Sequence, residues 1–366
     1  LPAKLKEVGI RFYIPEKIAV RQLKKLRKRI YARIDADGIV LVSGKGKRKT
    51  PIQRLSEWID QCLAKLKQYT KDIHICGNRN SFSKTDHDAT FMHMKEDYMR
   101  NGQLKPGYNV NVATCSDFII GSYISSDRND VHTLIPFMEQ LRKNYAGRNI
   151  GSVVVDSGYE SEENYCWFEA HPETELYVKP SNHEAVKHRK YRTDISRREN
   201  MAYDAQTDTY TCANGKLLQR TQEKKTHTAS GLEIATSVYE CNECDGCPLK
   251  EKCIRACGSK KPLEERYKVI YVSKRFARQR QAMEAKISSP KGCLLRVNRS
   301  IQAEGNFAYV KQDLDFRRFL LRGNMKVAAE WLLFSLALNI LHLHHKIQNR
   351  RLGSDLKIPS SFPAGL

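Results

Sequence analysis

Three groups of residues in this sequence have the types and spacing to do chemistry. The first is a set of carboxylates. A short apolar run, Val153 to Val155, ends on Asp156, and the turn Ser157-Gly158 and an acid-rich segment follow it. An acid at the C-terminal edge of a strand stands where open α/β sheets collect ligands. For an isolated VVVD, Asp156 as a turn residue or helix cap is the better-supported reading, and the rest of the chain shifts that balance. A second acid, Glu304, lies far downstream in a helical pattern over 296–311, where by default it is a solvent-facing side chain. Brought together, such carboxylates can hold a pair of Mg2+ (or Mn2+) ions about 4 Å apart. One ion activates a water or a 3'-hydroxyl and the other stabilises the leaving oxygen of a phosphodiester. Carboxylates suit the task because these hard cations prefer oxygen ligands. Lys311, two turns beyond Glu304, is placed to meet the scissile phosphate.

The second group is sulfur. Most of the eleven cysteines crowd between Cys212 and Cys257. Cys241, Cys244, Cys247 and Cys253 lie in CNECDGCPLKEKC, with Cys212 upstream in YTCANGK and Cys257 downstream. The C-x2-C-x2-C-x5-C spacing suits tetrahedral Zn2+, with Cys212 able to replace one of the four. An iron–sulfur cluster is open on spacing alone. An odd count with CxxC spacing argues for metal ligation in a reducing compartment rather than a secreted disulfide scaffold. Cys62, Cys76, Cys115, Cys166 and Cys293 are isolated and read as core or incidental thiols.

The third group is the patch DFRRFLLRGNMK, in which Phe316 and Phe319 interleave with Arg317, Arg318, Arg322 and Lys326. The basic residues would contact phosphates while the rings stack on bases. A core role for the rings, with the arginines at its rim, is as well supported.

These groups need elements to position them. The 366 residues suffice for two or three domains, and the formal net charge of +22 with a pI near 9.5 favours a polyanionic partner, nucleic acid ahead of a membrane surface. No run of eighteen apolar residues appears, and Trp331 to Leu343 reads as a buried helix. Residues 1–77 form a basic helical region that would contact DNA phosphates. Leu23, Leu26, Ile30 and Ile34 mark one helix, and Ile52, Leu55, Ile59, Leu63 and Leu66 a second. Residues 78–180 then read as strand, strand, helix, strand, helix, strand, with a hairpin turn at Ser116-Asp117. This is most of a three-layer α/β core with a mixed sheet. Residues 181–290 interrupt the core as a Cys-rich insertion, 291–350 complete it, and 351–366 form a loose tail.

Several blocks then resemble one family. VVVDSGYESEENY is similar to the DAGYxSEENY signature of bacterial insertion-sequence DDE transposases of the IS4-like superfamily. NRSIQAEGNFAYVKQDLDFRRFLLRG resembles the block around their catalytic glutamate, and KPGYNVNVA with NDVHTLIPF matches the elements before the second aspartate. The resemblance covers roughly residues 81–345. It implies an RNase H-like core and a transposase that cleaves DNA and transfers strands by two-metal chemistry. It further implies terminal inverted repeats and target DNA as partners, a homodimer on paired ends, and a bacterial, nucleoid-associated cytoplasmic location with no membrane. Carried over, Asp156 is the second catalytic carboxylate, Glu304 the third, and Lys311 the lysine of the Tyr-x2-Arg-x3-Glu-x6-Lys pattern. The arginine position holds Ser300, with Arg299 one residue away as a DNA contact, and the tyrosine position holds Val297. The first carboxylate has no match. IDADGIV fits its motif poorly, and Asp86 and Asp88 follow no apolar strand. The expectation is an N-terminally truncated transposase lacking that acid and one central strand. The alternative is a catalytically inactive remnant that still binds DNA.

Overall fold

The computed structural model describes residues 1–16, 18–44, 46–94, 100–255, 261–353 and 356–357. The chain divides into two units, Leu1–Pro106 and Gly107–Leu366.

In the first unit the two amphipathic patterns become helices. Helix α1 spans Pro2–Glu7, α2 spans Val20–Ala36 and α3 spans Pro51–Cys76. Leu23, Leu26, Ile30 and Ile34 of α2 are buried in one cluster with Ile52, Leu55, Ile59 and Leu63 of α3. The Thr50 hydroxyl accepts the Gln53 N–H and Pro51 occupies the first turn, so the start of α3 is fixed locally. Arg21, Lys24, Lys25 and Lys28 stay exposed on the outer face of α2. Asp86 and Asp88 sit in turns ahead of a short strand, Thr90–Met92.

The second unit is a mixed α/β structure. Strands β1 (Asn109–Cys115) and β2 (Phe118–Ser125) form an antiparallel hairpin. Ser116 and Asp117 at its tip both take positive φ, 53° and 71°, the backbone of a two-residue turn whose twist matches the flanking strands. Helix α4 (Leu134–Asn144) packs on the hairpin so closely that a Cβ at Gly121 would lie 2.5 Å from the Leu141 Cδ2. Strand β3 (Ser152–Val155), helix α5 (Glu162–Glu169) and strand β4 (Glu175–Val178) form a parallel βαβ unit. Leu134, Phe137, Met138 and Leu141 of α4 bury against Tyr165, Phe168, Leu176 and Val178.

An antiparallel five-stranded sheet follows, from β5 (Ala202–Asp204) through β6 (Thr209–Thr211), β7 (Leu217–His227) and β8 (Glu233–Cys241) to β9 (Lys268–Val272). Helix α6 (Lys274–Ser288) returns the chain to the first core through Met283 and Ile287. Helix α7 (Pro290–Arg299) runs on into a helical stretch that widens to π geometry at Ser300–Glu304 and again at Tyr309–Asp313. Helix α8 (Asn324–Gln348) packs on β2 through Trp331 and Leu338, joined by Ile119 and Val310.

Two expectations are modified. The strands of 107–178 occur in the expected order, but among the described residues they form two separate two-stranded sheets, β1-β2 and β3-β4, rather than one mixed sheet. No described strand pairs with the second edge of β1 or of β3, so among the described residues no strand ladder joins the halves. The apolar run 331–343 is also not buried all round. Val327, Trp331 and Leu338 are inside, whereas Leu332, Leu333, Leu336 and Ile340 are more than half exposed. The core covers only one stripe of α8, and no described element packs over the opposite one. By length and composition α8 could cross a membrane, but its Trp331 face belongs to the protein core.

Candidate active site

Asp156 follows β3 directly and begins a 3-10 turn, Ser157–Tyr159. Its Oδ1 accepts the Ser157 N–H at 2.8 Å, so it does cap the turn. The same oxygen lies 3.7 Å from Nη1 of Arg299, and Nη2 of Arg299 lies 3.2 Å from Oε1 of Glu304. The Ser300 hydroxyl donates to Oε2 of Glu304 at 3.0 Å. Two acids from opposite ends of the unit thus meet around one guanidinium. Their side chains remain open to solvent, 51% exposed for Asp156 and 60% for Glu304.

The π turn explains the pairing. Residues five apart on an α-helix stand about 140° apart around the axis, too far to share a face. Widening the helix at Ser300–Glu304 swings Arg299 and Glu304 to the same side. Ser300, at the position of the family arginine, orients the glutamate, while Arg299 supplies the positive charge.

Beneath the acids is a polar scaffold that the sequence reading did not single out. The Tyr159 hydroxyl donates to Oδ1 of Asn111 at 2.5 Å, and the Thr133 hydroxyl donates to the same oxygen at 2.8 Å. Asn111 is only 2% exposed, in the middle of β1. Two residues earlier on the same strand face, Asn109 donates to Asp130 at 2.6 Å. A Cβ at Gly158 would stand 3.0 Å from the Asp130 carboxylate, which leaves no slack in this turn. Burial pushes the Tyr159 phenol upward, and Asp130 adds to this while Arg299 opposes it. The phenol therefore stays protonated and donates. The signal was present in GYNVNV, whose alternation puts both asparagines on one strand face.

The turn is also held from the far side. Glu160 receives Nε and Nη2 of Arg280 on α6, both at 2.8 Å, and accepts the Ser181 N–H at 2.7 Å. Its side chain is 1% exposed. Burial works against its ionisation, yet Arg280 and Ser181 together hold the carboxyl below its ordinary range.

Other candidates are placed differently. Lys311 is exposed, with Nζ 5.9 Å from the Phe307 ring centroid, and forms no ion pair with Asp156 or Glu304. Arg317, Arg318, Arg322 and Lys326 are all exposed, and Arg317 also pairs with Asp315. Phe316 and Phe319 turn inward against Phe334 and Trp331, so of the two roles open to the rings the core role is the one adopted. Asp86 and Asp88 belong to the first unit.

Cys212, Cys241, Cys244, Cys247 and Cys253 come together around one small cavity of about 20 Å3, whose wall also includes Lys216, Lys250 and Lys268. All five thiols are free. Cys257 lies outside the described residues. Among the described residues no three His, Cys, Asp or Glu side chains are already drawn into a metal-holding group, at the acids or at the cysteines.

A strand-end acid and a helical glutamate thus meet on one arginine in a strongly basic chain. Residues 211–344 match the transposase DDE domain family, which is similarity over part of the chain. The matched segment contains the cysteine cluster, Arg299 and Glu304, while Asp156 precedes it. No curated protein and no solved structure matches the chain.

Proposed function

We propose that this chain acts on DNA, cleaving a phosphodiester at the end of an insertion sequence and joining the freed 3'-hydroxyl to target DNA. The observation that carries the reading is the meeting of Asp156 and Glu304 on Arg299. The two carboxylates are solvent-open oxygen donors already gathered around a positive charge, and this fits divalent Mg2+ or Mn2+. Asp156 and Glu304 would hold the ion. Bound there, it would supply Lewis-acid activation of the attacking and leaving oxygens. The work of the chain itself is positioning. Asn111, Tyr159 and Asp130 fix the turn that carries Asp156, and Ser300 fixes Glu304. Arg299 would pass from the acids to the scissile phosphate once a metal ion takes over the carboxylate charge. Arg317, Arg318, Arg322 and Lys326 would hold the flanking phosphates, with Lys311 as a further cation near the helix that carries Glu304. A reaction on two DNA ends suits a pair of protomers, and the bacterial cytoplasm is where such DNA lies.

The second reading, a DNA-binding remnant without cleavage, draws on one observation. No third acid completes a metal-holding group among the described residues. The deciding experiment incubates the chain with DNA carrying the ends of its element and Mg2+ or Mn2+, next to Asp156→Ala and Glu304→Ala. Cleavage and strand transfer that both variants abolish, with DNA binding retained, support the enzyme. Equal cleavage by the variants overturns the site, and binding without any cleavage identifies the remnant.

A further inference from the structure

The five-stranded sheet carries a second site that the DNA chemistry does not use. The cavity of about 20 Å3 among the cysteines is large enough for one water-sized particle and too small for a molecule of any complexity. Its wall is built from residues of 212–216 and of 241–254, with Lys268 from the following strand. Cys212 comes from the tight turn after β6, where its N–H donates to the Lys216 carbonyl at 2.8 Å. Cys244 and Cys247 come from the turn after β8. Cys253 ends a single helical turn, Lys250–Cys253. Five thiols around a space for one atom exceed what packing requires, because a buried void is more cheaply filled by a methyl group.

We propose that Cys212, Cys244, Cys247 and Cys253 bind one Zn2+, and that Cys241 is a core thiol outside the ligand set. The exclusion of Cys241 follows from the strand. It is the last residue of β8, paired with Lys268, and shares the inward face with Tyr239 two residues earlier. Both are fully enclosed, at 1% and 0% exposure, in the cluster with Leu218 and Ile270. Its side chain meets the cavity from the sheet side, held in place by the strand ladder. The other four lie on turns that can close around an ion, with Cys244 and Cys247 at the C-x2-C spacing of a zinc knuckle.

The surroundings suit thiolate. The Lys268 backbone N–H donates to the Cys244 sulfur at 3.4 Å, the kind of outer contact that steadies a metal-bound thiolate. Lys216, Lys250, Lys268 and Glu243 line the wall, and with Glu243 paired to Lys216 the net excess of positive charge offsets the two net negative charges of a four-thiolate zinc centre. Lys268 also donates through Nζ to the Cys253 carbonyl at 3.1 Å and the Ser196 carbonyl at 2.7 Å, so the wall is braced without the metal. On binding, each thiol passes its proton to water, and the ion draws the four sulfurs in to about 2.3 Å. The ion would then tie the turns after β6 and β8 and the 250–253 turn into one unit.

The test uses the full chain, purified without chelator, with total zinc and iron measured and each of the five cysteines changed to serine in turn. The expected result is one zinc per chain. C212S, C244S, C247S and C253S should each weaken binding by more than the roughly 10–100-fold that loss of an outer contact costs. C241S should keep full zinc. Co2+ titration of the metal-free chain gives a readout independent of variant folding, and a tetrahedral four-thiolate spectrum at one equivalent is expected. Iron with inorganic sulfide in place of zinc, no metal uptake, or loss of zinc in C241S equal to that of the other four would each overturn the assignment.

Discussion

Replacing Arg280 by Met should loosen the turn that carries Asp156. Arg280 grips Glu160 with two hydrogen bonds at 2.8 Å, and the carboxylate is 1% exposed, so the variant strands a buried charge. Breaking a buried pair from one side costs about 3–5 kcal/mol. A domain of this size loses roughly 2–4 °C of Tm per kcal/mol, so the melting temperature should fall by about 10 °C. The pH dependence carries the sign. In the wild type Glu160 is held below its ordinary value, so its contribution is present above the unfolded carboxylate value of about 4.3 and fades as pH falls through the folded one. In Arg280→Met the largest opposition to burial is gone and only the Ser181 and Tyr165 hydrogen bonds still favour the Glu160 carboxylate. Its pKa then rises, and the variant should lose further stability as pH climbs through the unfolded carboxylate value. Urea unfolding at several pH values measures both effects, and Glu160→Gln completes a double-mutant cycle. If the two single losses add to within about 0.5 kcal/mol, the residues do not act as a pair and the reasoning is refuted.

Two further perturbations probe the site and its frame. Arg299→Ala should leave Asp156 and Glu304 without their shared cation, so Mn2+ should bind the variant several-fold more tightly in calorimetric titration; unchanged or weaker binding would show that the arginine does not neutralise the pair. Gly292→Ala should disrupt the corner between α6 and α7, because its Cβ would fall 2.3 Å from the Lys286 carbonyl oxygen and 2.8 Å from the Ile287 Cα. Backbone cannot yield as a side chain does, so a loss of at least about 1–3 kcal/mol is expected in urea unfolding.

The local grammar of this chain was legible. The periodicity of Leu23, Leu26, Ile30 and Ile34 gave α2, and Ser116-Asp117 marked the hairpin turn, because helix faces and tight turns are set by residues a few positions apart. The strand that ends on Asp156 was visible for the same reason. The packing of α8 was not, since hydrophobicity says that a helix can be buried but not how many neighbours will cover it. Nor was the separation of β1-β2 from β3-β4, which depends on ladder partners rather than on strand propensity.

The division is clearest around the acids. Sequence alone singled out Asp156 and Glu304 as candidate metal ligands and showed that the cysteines crowd into one segment, because residue type and spacing are local properties. Only the tertiary structure decided that Arg299 rather than Lys311 reaches both acids, through a π turn that no residue type announces. Only it brought Asn111, Asp130 and Tyr159 together beneath them and set Cys241 on the inward face of a strand. The physical reason is range. A turn or helix face is written in neighbours along the chain, whereas a site is written in distances of a few ångströms between residues that the fold must first bring together.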